Sequence, residues 1–245
     1  MELEGKKALV TGASRGIGAG IVKVLSKEGA DVAFTYKSNA DAARTVASGV
    51  EDLGRKCIAL KADSSDPDAL TEAVAKSADR LGGLDIFVSN AGALLFKPIE
   101  DFTLKDFEDI VALDLRAAFV GSKAALAHLP RGGRIIFISS NIADYAALPT
   151  TAFYAMVKAG LLGLCKGMAR DLGPKGITVN SVHPGPIATD ANPEDGQYSK
   201  DLKRLMATPR FGKPEDVGAL VAFLASPAAG FISGTAHHVD NGFTA

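Results

Sequence analysis

The residues that offer the clearest chemistry are a tyrosine and a lysine four positions apart, Tyr154 and Lys158. On an α-helix, two residues at this spacing lie on one face. A free tyrosine has a pKa of about 10, and a neighbouring ammonium stabilises tyrosinate and lowers that pKa. Such a phenol can give a proton to a carbonyl oxygen or take one from an alcohol. The same spacing is also common by chance between surface residues.

Two serines end a strongly apolar segment upstream of this pair. Ser139 and Ser140 close the predicted strand Arg134–Ser139, and Ser140 lies 14 residues before Tyr154. Ligands of parallel sheets bind beyond the carboxyl ends of the strands. A hydroxyl group at that edge can hydrogen-bond a substrate oxygen and stabilise its developing charge. The pattern alone leaves both serines as candidates.

A glycine-rich turn follows the first predicted strand, in the segment Thr11–Gly18. Glycine lets the backbone approach a pyrophosphate, and the next helix offers unpaired N–H groups and partial positive charge at its N-terminus. The spacing is G-x-x-x-G-x-G. In the first βα turn of a doubly wound sheet it favours a dinucleotide site over an ordinary turn. The candidate cofactor-binding residues here are Gly12, Ser14, Arg15, Gly16, Ile17 and Gly18.

The end of the second predicted strand indicates which dinucleotide is bound. An NAD site usually has an acidic residue there for the ribose 2′-hydroxyl, whereas this chain has Tyr36, Lys37 and Ser38. Arg15 and Lys37 would attract a 2′-phosphate, and Ser38 could donate a hydrogen bond to it. Both cations could instead be solvated surface charges. The pattern favours NADP(H) over NAD.

Short apolar segments alternate with helical patterns along the whole chain. Strands are predicted at Lys7–Thr11, Asp31–Tyr36, Cys57–Ala62, Leu84–Val88, Arg134–Ser139, Ile177–Val182 and Ala236–Val239. Helices are predicted at Arg15–Glu28, Ala40–Leu53, Pro67–Leu81, Leu104–Leu129, Thr151–Leu172 and Pro214–Leu224. The alternation predicts an α/β fold, a doubly wound parallel sheet of about seven strands with helices on both faces. No linker interrupts the chain, so residues 1–245 are expected to form one domain.

Composition excludes several classes of protein. The chain is 47% hydrophobic and 22% charged, which is typical of globular proteins. A net charge of −1 argues against a nucleic-acid-binding protein. No apolar segment approaches the roughly 18 residues of a membrane span, and the N-terminus has no signal-peptide pattern. We therefore expect a cytoplasmic protein with no membrane partner.

The cysteines and histidines predict neither a disulfide scaffold nor a metal site. Two cysteines, Cys57 and Cys165, are too few for such a scaffold. The histidines show no metal-ligand spacing among themselves or with cysteine, so no metal is expected. They are His128, His183, His237 and His238.

Taken together, these motifs resemble the short-chain dehydrogenase/reductase family over essentially the whole chain. The glycine turn, Asn90-Ala91-Gly92, the Tyr154 and Lys158 pair and Pro184-Gly185 occur in the family's order and spacing. The resemblance implies Ser140 rather than Ser139 as the catalytic serine. The separation of 14 residues from Tyr154 is closer to the naphthol-reductase-like branch than to members with 13. The ketoreductase-like branches, including 3-oxoacyl-carrier-protein reductases, are the nearest in pattern.

The resemblance also implies roles for single residues. Asp63 would hold the adenine amino group, although it could equally cap a helix. Ile187 would face the nicotinamide carboxamide, Thr189 would bond the amide or a phosphate, and residues 189–208 would form a substrate lid. The further cofactor contacts implied are Tyr36, Asn90, Ala91, Gly92, Tyr154, Lys158, Pro184 and Gly185. Apolar residues that could line a substrate pocket, or belong to the core, are Leu94, Leu95, Phe96, Ile142, Tyr145 and Phe153.

Two positions depart from the family pattern. Asp114 stands where the family has a catalytic asparagine, which holds a water in a proton relay with the lysine. An aspartate there would pair with Lys158 or titrate, or it could have only a capping or surface role. Ser89 precedes Asn90 where asparagine is more usual.

The sequence therefore predicts an NADPH-dependent reductase that transfers hydride to a ketone-type carbonyl, with Asp114, Ser140, Tyr154 and Lys158 as catalytic residues. One alternative, motivated by Asp114, is an NADP(H)-binding regulator or scaffold with little catalysis. Another is an NAD-dependent alcohol or sugar dehydrogenase. The partners expected are a small carbonyl substrate and further copies of the chain, because Ile232-Ser233-Gly234 resembles the end that forms homotetramers or homodimers in the family.

Overall fold

The computed structural model describes all 245 residues, and a parallel sheet of seven strands runs through its centre. The strands are β1 (Lys7–Val10), β2 (Asp31–Tyr36), β3 (Cys57–Lys61), β4 (Ile86–Ser89), β5 (Arg134–Ile138), β6 (Thr178–Pro184) and β7 (Ala236–Val239). Their order across the sheet is β3-β2-β1-β4-β5-β6-β7. Every pair is parallel, which confirms the predicted fold class.

Helices cover both faces of the sheet. They are α1 (Gly16–Lys27), α2 (Ala40–Glu51), α3 (Pro67–Leu81), α4 (Leu104–Ile110), α5 (Ala117–Ala125), α6 (Ala152–Leu172), α7 (Ser199–Arg204) and α8 (Pro214–Ala225). Apolar residues of α1, α2 and α8 form one core layer with the sheet, and those of α3, α5 and α6 form the other. Because the strands are buried on both faces, their sequences are continuous apolar segments rather than alternating ones.

The strand order reverses next to β1. This strand pairs with β2 on one side and with β4 on the other, so the connections after β1 and β4 diverge at the carboxyl edge. Such a switch point leaves a crevice in which open α/β sheets bind ligands. The glycine turn after β1 and Asn90 after β4 both lie at this crevice.

The helical region predicted at Leu104–Leu129 is interrupted by a π-helical turn. Helix α4 continues into a π-helical segment, Val111–Arg116, which continues into α5. The turn buries Asp114 to 2% exposure. π-turns inside helices occur often at functional sites, and this one directs the Asp114 side chain towards Lys158 of α6.

Other differences concern element ends. Strand β6 continues to Pro184, two residues beyond the predicted end, because β7 pairs with it there, His183 against His238 and Pro184 against Val239. The short helix α7 lies in a segment that the sequence indicated as irregular. Its six residues contain no fully buried side chain, so no apolar periodicity marked it.

One segment, Ala152–Lys175, is long and apolar enough by composition to cross a membrane. It consists of α6 and the turn that follows. Val157, Leu161 and Cys165 of this helix are buried, and the last two pack in the core layer on the sheet. Core helices commonly have this composition, and here the helix forms part of that layer.

Candidate functional site

A cavity of about 1230 Å³ opens along the carboxyl edge of the sheet. It is lined by every residue predicted to contact a cofactor and by Ser140. Asp114 is the one predicted catalytic residue outside this lining, and it lies directly beneath it against Lys158. The structure thus brings the predicted site residues together from the ends of six strands, β1 to β6.

The glycine turn is locked against the segment that follows β4. The Asn90 side-chain amide donates hydrogen bonds to the Thr11 carbonyl at 2.9 Å and the Gly12 carbonyl at 3.1 Å. Gly12 has φ +63°, and a Cβ added there would lie 2.9 Å from the Ala91 Cα. A Cβ on Gly18 would lie 2.6 Å from the Asn90 Nδ2. Glycine is therefore required at both positions, and Asn90 positions the turn.

The N-terminus of α1 is open towards the cavity. Its capping residue, Arg15, makes no side-chain cap hydrogen bond, and the first turn of the helix holds no acidic residue. The first N–H groups of α1 and its positive dipole end can therefore meet an anion. A Cβ on Gly16 would lie 3.6 Å from the Thr189 methyl group, so Thr189 covers the turn from the opposite wall.

Lys37 and Asp63 line the cavity beyond the ends of β2 and β3. They form an ion pair with 2.7 Å between Nζ and Oδ2. Burial would raise the pKa of Asp63, but hydrogen bonds from Lys37 and Ser65 outweigh burial and hold it below its ordinary value. Lys37 is 72% exposed, and exposed pairs contribute only about 0–1 kcal/mol. The lysine can therefore leave Asp63 for a more highly charged anion. Arg15 and Ser38 are exposed beside it.

The two adjacent serines have different roles in the structure. The Ser139 hydroxyl is buried and donates a hydrogen bond to the Lys158 carbonyl of α6 at 2.8 Å. Ser140 lies one residue beyond the end of β5 and caps a 3₁₀ turn, where its Oγ accepts from the Ile142 N–H at 3.3 Å. Ser140 also acts on the Tyr154 phenol, whose pKa it lowers. Both serines line the cavity with Tyr154, but the Ser139 hydroxyl is engaged with the backbone of α6.

The pKa of Tyr154 lies above its ordinary value, contrary to the lowering expected from Lys158 alone. Burial of the phenol raises this pKa most and Asp114 adds to the rise, while Lys158 and Ser140 act in the opposite direction. The phenol is therefore held in its protonated form, which is the form that donates a proton. Phe96 packs edge-on against the Tyr154 ring, with 5.6 Å between the centroids.

Asp114 and Lys158 form a buried ion pair, with 2.7 Å between Oδ1 and Nζ. The side chains are 0% and 6% exposed, respectively. Burial lowers the pKa of Lys158, but Asp114 and Tyr154 raise it more, so its ammonium stays charged. The Ala93 N–H donates to Asp114 Oδ2 at 3.3 Å. Of the alternatives left by the sequence, the structure has Asp114 paired with Lys158.

Gly92 lies directly over this ion pair. A Cβ added there would lie 2.8 Å from Asp114 Oδ1 and 3.1 Å from Lys158 Nζ. The segment after β4 therefore contacts both the glycine turn, through Asn90, and the Asp114–Lys158 pair, through Gly92.

Four of the six predicted apolar pocket residues line the cavity, namely Leu94, Phe96, Ile142 and Tyr145. Leu95 and Phe153 do not. Phe153 packs instead against Phe102 and Phe107, with ring centroids 4.1 and 5.7 Å away, because its position next to Tyr154 on α6 turns it to another face of the helix.

Sequence reasoning missed several lining residues. They are Ser64 and Asn141, which follow β3 and β5, and Phe243. The position just after a strand could have indicated the first two. Tyr198 and Leu202 also line the cavity, but they lie in residues 189–208, the predicted lid. Phe243 belongs to the C-terminal segment and packs in a small cluster with Met206 and Phe211. Only the folded chain shows that this segment reaches the site.

His183 is fully buried, and its Nδ1 lies 2.5 Å from Asp144 Oδ2. His238 Nε2 lies 3.0 Å from the same oxygen. The spacing of the histidines predicted no cluster of metal-ligating groups, yet these three residues form one. They come from three separate segments, so spacing along the chain could not indicate it.

Comparison with protein-family models gives a match over residues 12–244 to the family described as enoyl-(acyl carrier protein) reductase. The chain is 42% identical over 241 residues to the cyclic-di-GMP-binding biofilm dispersal mediator protein of Escherichia coli, covering 98% of each chain. It is 39% identical over 253 residues to a versicolorin reductase of Emericella nidulans, covering 98% of this chain and 96% of that one.

A solved structure shares the whole fold. The short-chain dehydrogenase from Burkholderia cenocepacia, crystallised in complex with NADP, is 47% identical, and the match covers 100% of both chains with a TM-score of 0.98.

Proposed function

This chain belongs to the short-chain dehydrogenase/reductase family, and from that premise we propose that it is an NADP(H)-dependent reductase of ketone-type carbonyls. The observation that carries the proposal is the meeting of Ser140, Tyr154 and Lys158 in the same cavity as the glycine turn. The versicolorin reductase among its relatives supports the reaction class, and the NADP complex of the Burkholderia structure supports the coenzyme.

The residues present fit a dinucleotide phosphate. The open N-terminus of α1 and the glycine turn would hold the pyrophosphate, since a Cβ at Gly12 would close the gap to Ala91. Arg15, Lys37 and Ser38 would hold the 2′-phosphate, with Lys37 released from Asp63. Pro184, Gly185, Ile187 and Thr189 line the end of the cavity where the nicotinamide would lie. When bound, the coenzyme supplies the hydride.

The protein supplies the proton and the electrostatics. The Ser140 hydroxyl would hydrogen-bond the carbonyl oxygen, and Tyr154 would give its proton to that oxygen as it gains negative charge. The Lys158 ammonium, 5.6 Å from the centre of the tyrosine ring, would stabilise the tyrosinate left behind. Asp114 keeps that ammonium charged and acts through Lys158, so it is a positioning residue.

The lining favours an apolar ketone. Leu94, Phe96, Ile142 and Tyr145 face the cavity near the reacting corner, and apolar and aromatic walls suit hydrophobic ligands. We therefore expect aromatic and longer aliphatic ketones to be reduced faster than small polar ones.

The test is NADPH consumption with a panel of aromatic ketones, small aliphatic ketones and acyl thioesters, with NADH assayed in parallel. Tyr154→Phe should lower turnover of every accepted ketone at least about 100-fold, because general acid catalysis contributes about that much. The variant should keep its NADPH affinity, measured by fluorescence titration. Wild-type rates in Tyr154→Phe would overturn the mechanism.

A second candidate function is a nucleotide-binding regulator with little catalysis. It is favoured by the buried Asp114–Lys158 pair, which neutralises the charge that would stabilise tyrosinate. The relative in Escherichia coli, named as a cyclic-di-GMP-binding mediator, supports it as well. Tight NADPH or cyclic-di-GMP binding in calorimetry, with no turnover across the ketone panel, would favour this function over the reductase.

We also propose that the chain forms homotetramers or homodimers. Phe231, next to the Ile232-Ser233-Gly234 segment, is fully exposed, and exposed aromatic residues are enriched at protein interfaces. Light scattering after size-exclusion chromatography measures the assembly directly, and a monomer at all concentrations would contradict it.

A further inference from the structure

Three side chains that the proposed reaction does not use meet on one carboxylate oxygen. His183 Nδ1 and His238 Nε2 lie 2.5 and 3.0 Å from Asp144 Oδ2. The three groups can each offer one ligand atom, and these atoms lie within 4.8 Å of one another. We propose that Asp144, His183 and His238 bind a divalent transition-metal ion, with Zn²⁺ the best match.

The donor set is the first argument. Two imidazole nitrogens and one carboxylate oxygen form a common zinc ligand set, which leaves a fourth position for water. Imidazole also suits Co²⁺ and Ni²⁺, whereas Mg²⁺ and Ca²⁺ prefer oxygen ligands alone. The site therefore selects a transition metal over the abundant alkaline-earth ions.

The distances are the second argument. Zinc–ligand bonds of about 2.0–2.2 Å place tetrahedral ligand atoms about 3.4 Å apart. The gap between His183 Nδ1 and Asp144 Oδ2, 2.5 Å, must therefore widen by about 1 Å, and the gap to His238 by less. Asp144 follows a 3₁₀ turn and its side chain is 34% exposed, so a small rotation of its carboxylate provides this space.

The two histidines are held in place by the sheet. His183 and His238 are direct partners in the register of β6 and β7, and their ring centroids are 5.3 Å apart. Ser181 Oγ hydrogen-bonds His183 Nε2 at 3.0 Å, which leaves Nδ1 directed at Asp144. Such a hydrogen bond to the second ring nitrogen is typical of metal-binding histidines. His238 and Asp144 are each 34% exposed, which opens a path for the ion and its water.

The same groups also satisfy one another without metal, as a carboxylate between two imidazole N–H groups. A bound ion must displace those protons, so the competing outcome is a purely hydrogen-bonded cluster. Asp144 precedes Tyr145 and His183 precedes Pro184, both in the cavity lining, so an ion would tie the segment after Ser140 to β6 and β7.

The test uses the full chain, stripped with a chelator and titrated with Zn²⁺ by calorimetry and with Co²⁺ by visible absorption. We expect one ion per chain and the intense cobalt spectrum of a four-coordinate site. Zn²⁺ at 100 times its Kd should raise Tm by about 5–10 °C. None of these measurements depends on reductase activity, so their outcome is independent of the proposed function.

His238→Ala and Asp144→Asn should abolish stoichiometric binding and the rise in Tm. His237→Ala is the matched control, because His237 is adjacent in β7 but its Nε2 bonds Thr235 instead of the cluster. Circular dichroism verifies that each variant folds. Equal Zn²⁺ and Co²⁺ binding by wild type and His238→Ala, or no binding by wild type, would overturn the site and leave a hydrogen-bonded cluster.

Discussion

A single residue, Asp114, determines the charge balance around Tyr154 and Lys158. A neutral amide at this position would leave the Lys158 ammonium to act on Tyr154 alone. The carboxylate instead pairs with Lys158 at 2.7 Å and raises the pKa of both Lys158 and Tyr154. The phenol therefore stays protonated to higher pH, which would suit the reductive direction of the proposed reaction.

Asp114→Asn should shift the pH profile of ketone reduction in the acidic direction. Removing the carboxylate removes a cause that raises the pKa of Tyr154. Reduction requires the protonated phenol, so activity is lost as pH rises through that pKa, and in the variant this loss begins at lower pH. In the oxidative direction, the rise in rate with pH should likewise begin earlier. The measurement is kcat against pH in both directions.

The control for this substitution is Asp114→Ala, which leaves the buried Lys158 ammonium without its carboxylate partner. The ammonium would keep only its hydrogen bond to the Ile138 carbonyl at 3.4 Å, so the protein should lose up to about 3–5 kcal/mol in urea unfolding. The asparagine variant retains a polar side chain beside the ammonium and should lose less. An unchanged pH profile in a folded Asp114→Asn would contradict the role assigned to the carboxylate.

At the scale of elements, the segment after β4 connects the glycine turn to the Asp114–Lys158 ion pair. Asn90 holds the turn after β1, and Gly92, two residues later, lies against Asp114 and Lys158. Gly92 is so close to the ion pair that a side chain would not fit there. A substitution in this segment should therefore disturb both the glycine turn and the ion pair.

Gly92→Ala should therefore impair both stability and turnover. The added methyl group would lie 2.8 Å from Asp114 Oδ1, and relieving such overpacking costs about 1–3 kcal/mol. The methyl group would also displace Asp114 or Lys158 beside Tyr154. We expect kcat to decrease at least about 10-fold, which corresponds to a rise of about 1.4 kcal/mol in the activation free energy. Unfolding in urea and ketone reduction are the measurements.

Gly49→Ala is the matched control. Gly49 lies within α2, and a Cβ there would meet nothing within 4 Å. An alanine in a helix should stabilise the protein by about 0.5–1 kcal/mol and leave kcat unchanged. If Gly92→Ala behaved like this control, the close approach would have no functional consequence.

Elements were predictable where local chemistry determines them. Asp66 and Pro67 begin α3 with side-chain caps and a proline at the first helical position, and Gly82 ends it with φ +75°, so both ends followed from the sequence. The π-turn around Asp114 has no such local signal, since its residues continue a helical pattern. The Asp144–His183–His238 cluster depends on the pairing of β6 with β7 and on the path of the segment after β5. Neither could be deduced before the chain was folded.

On the scale of the whole molecule, one edge of the sheet gathers the site. The turns after β1 to β6 all contribute to one cavity, although they are spread over most of the sequence. The motifs in the sequence indicated which turns belong to the site. These turns meet because the carboxyl ends of parallel strands lie at one edge of the sheet. A ligand that fills this cavity contacts elements on both sides of the switch point and should stabilise the fold as a unit.

NADPH should therefore raise Tm, by about 5–10 °C at 100 times its Kd, and NADH at the same concentration should raise it less. The difference arises at the 2′-phosphate, where Arg15 and Lys37 supply positive charge and no acidic side chain ends β2. Lys37→Ala should reduce the difference between the rise in Tm caused by NADPH and the rise caused by NADH. Lys76→Ala, which removes an exposed ion pair with Glu72 on α3, should leave it unchanged. An equal rise in Tm with NADH and NADPH in the wild type would contradict the preference for NADP(H) and favour an NAD-dependent enzyme. It would show that Arg15 and Lys37 do not contribute to binding through the 2′-phosphate.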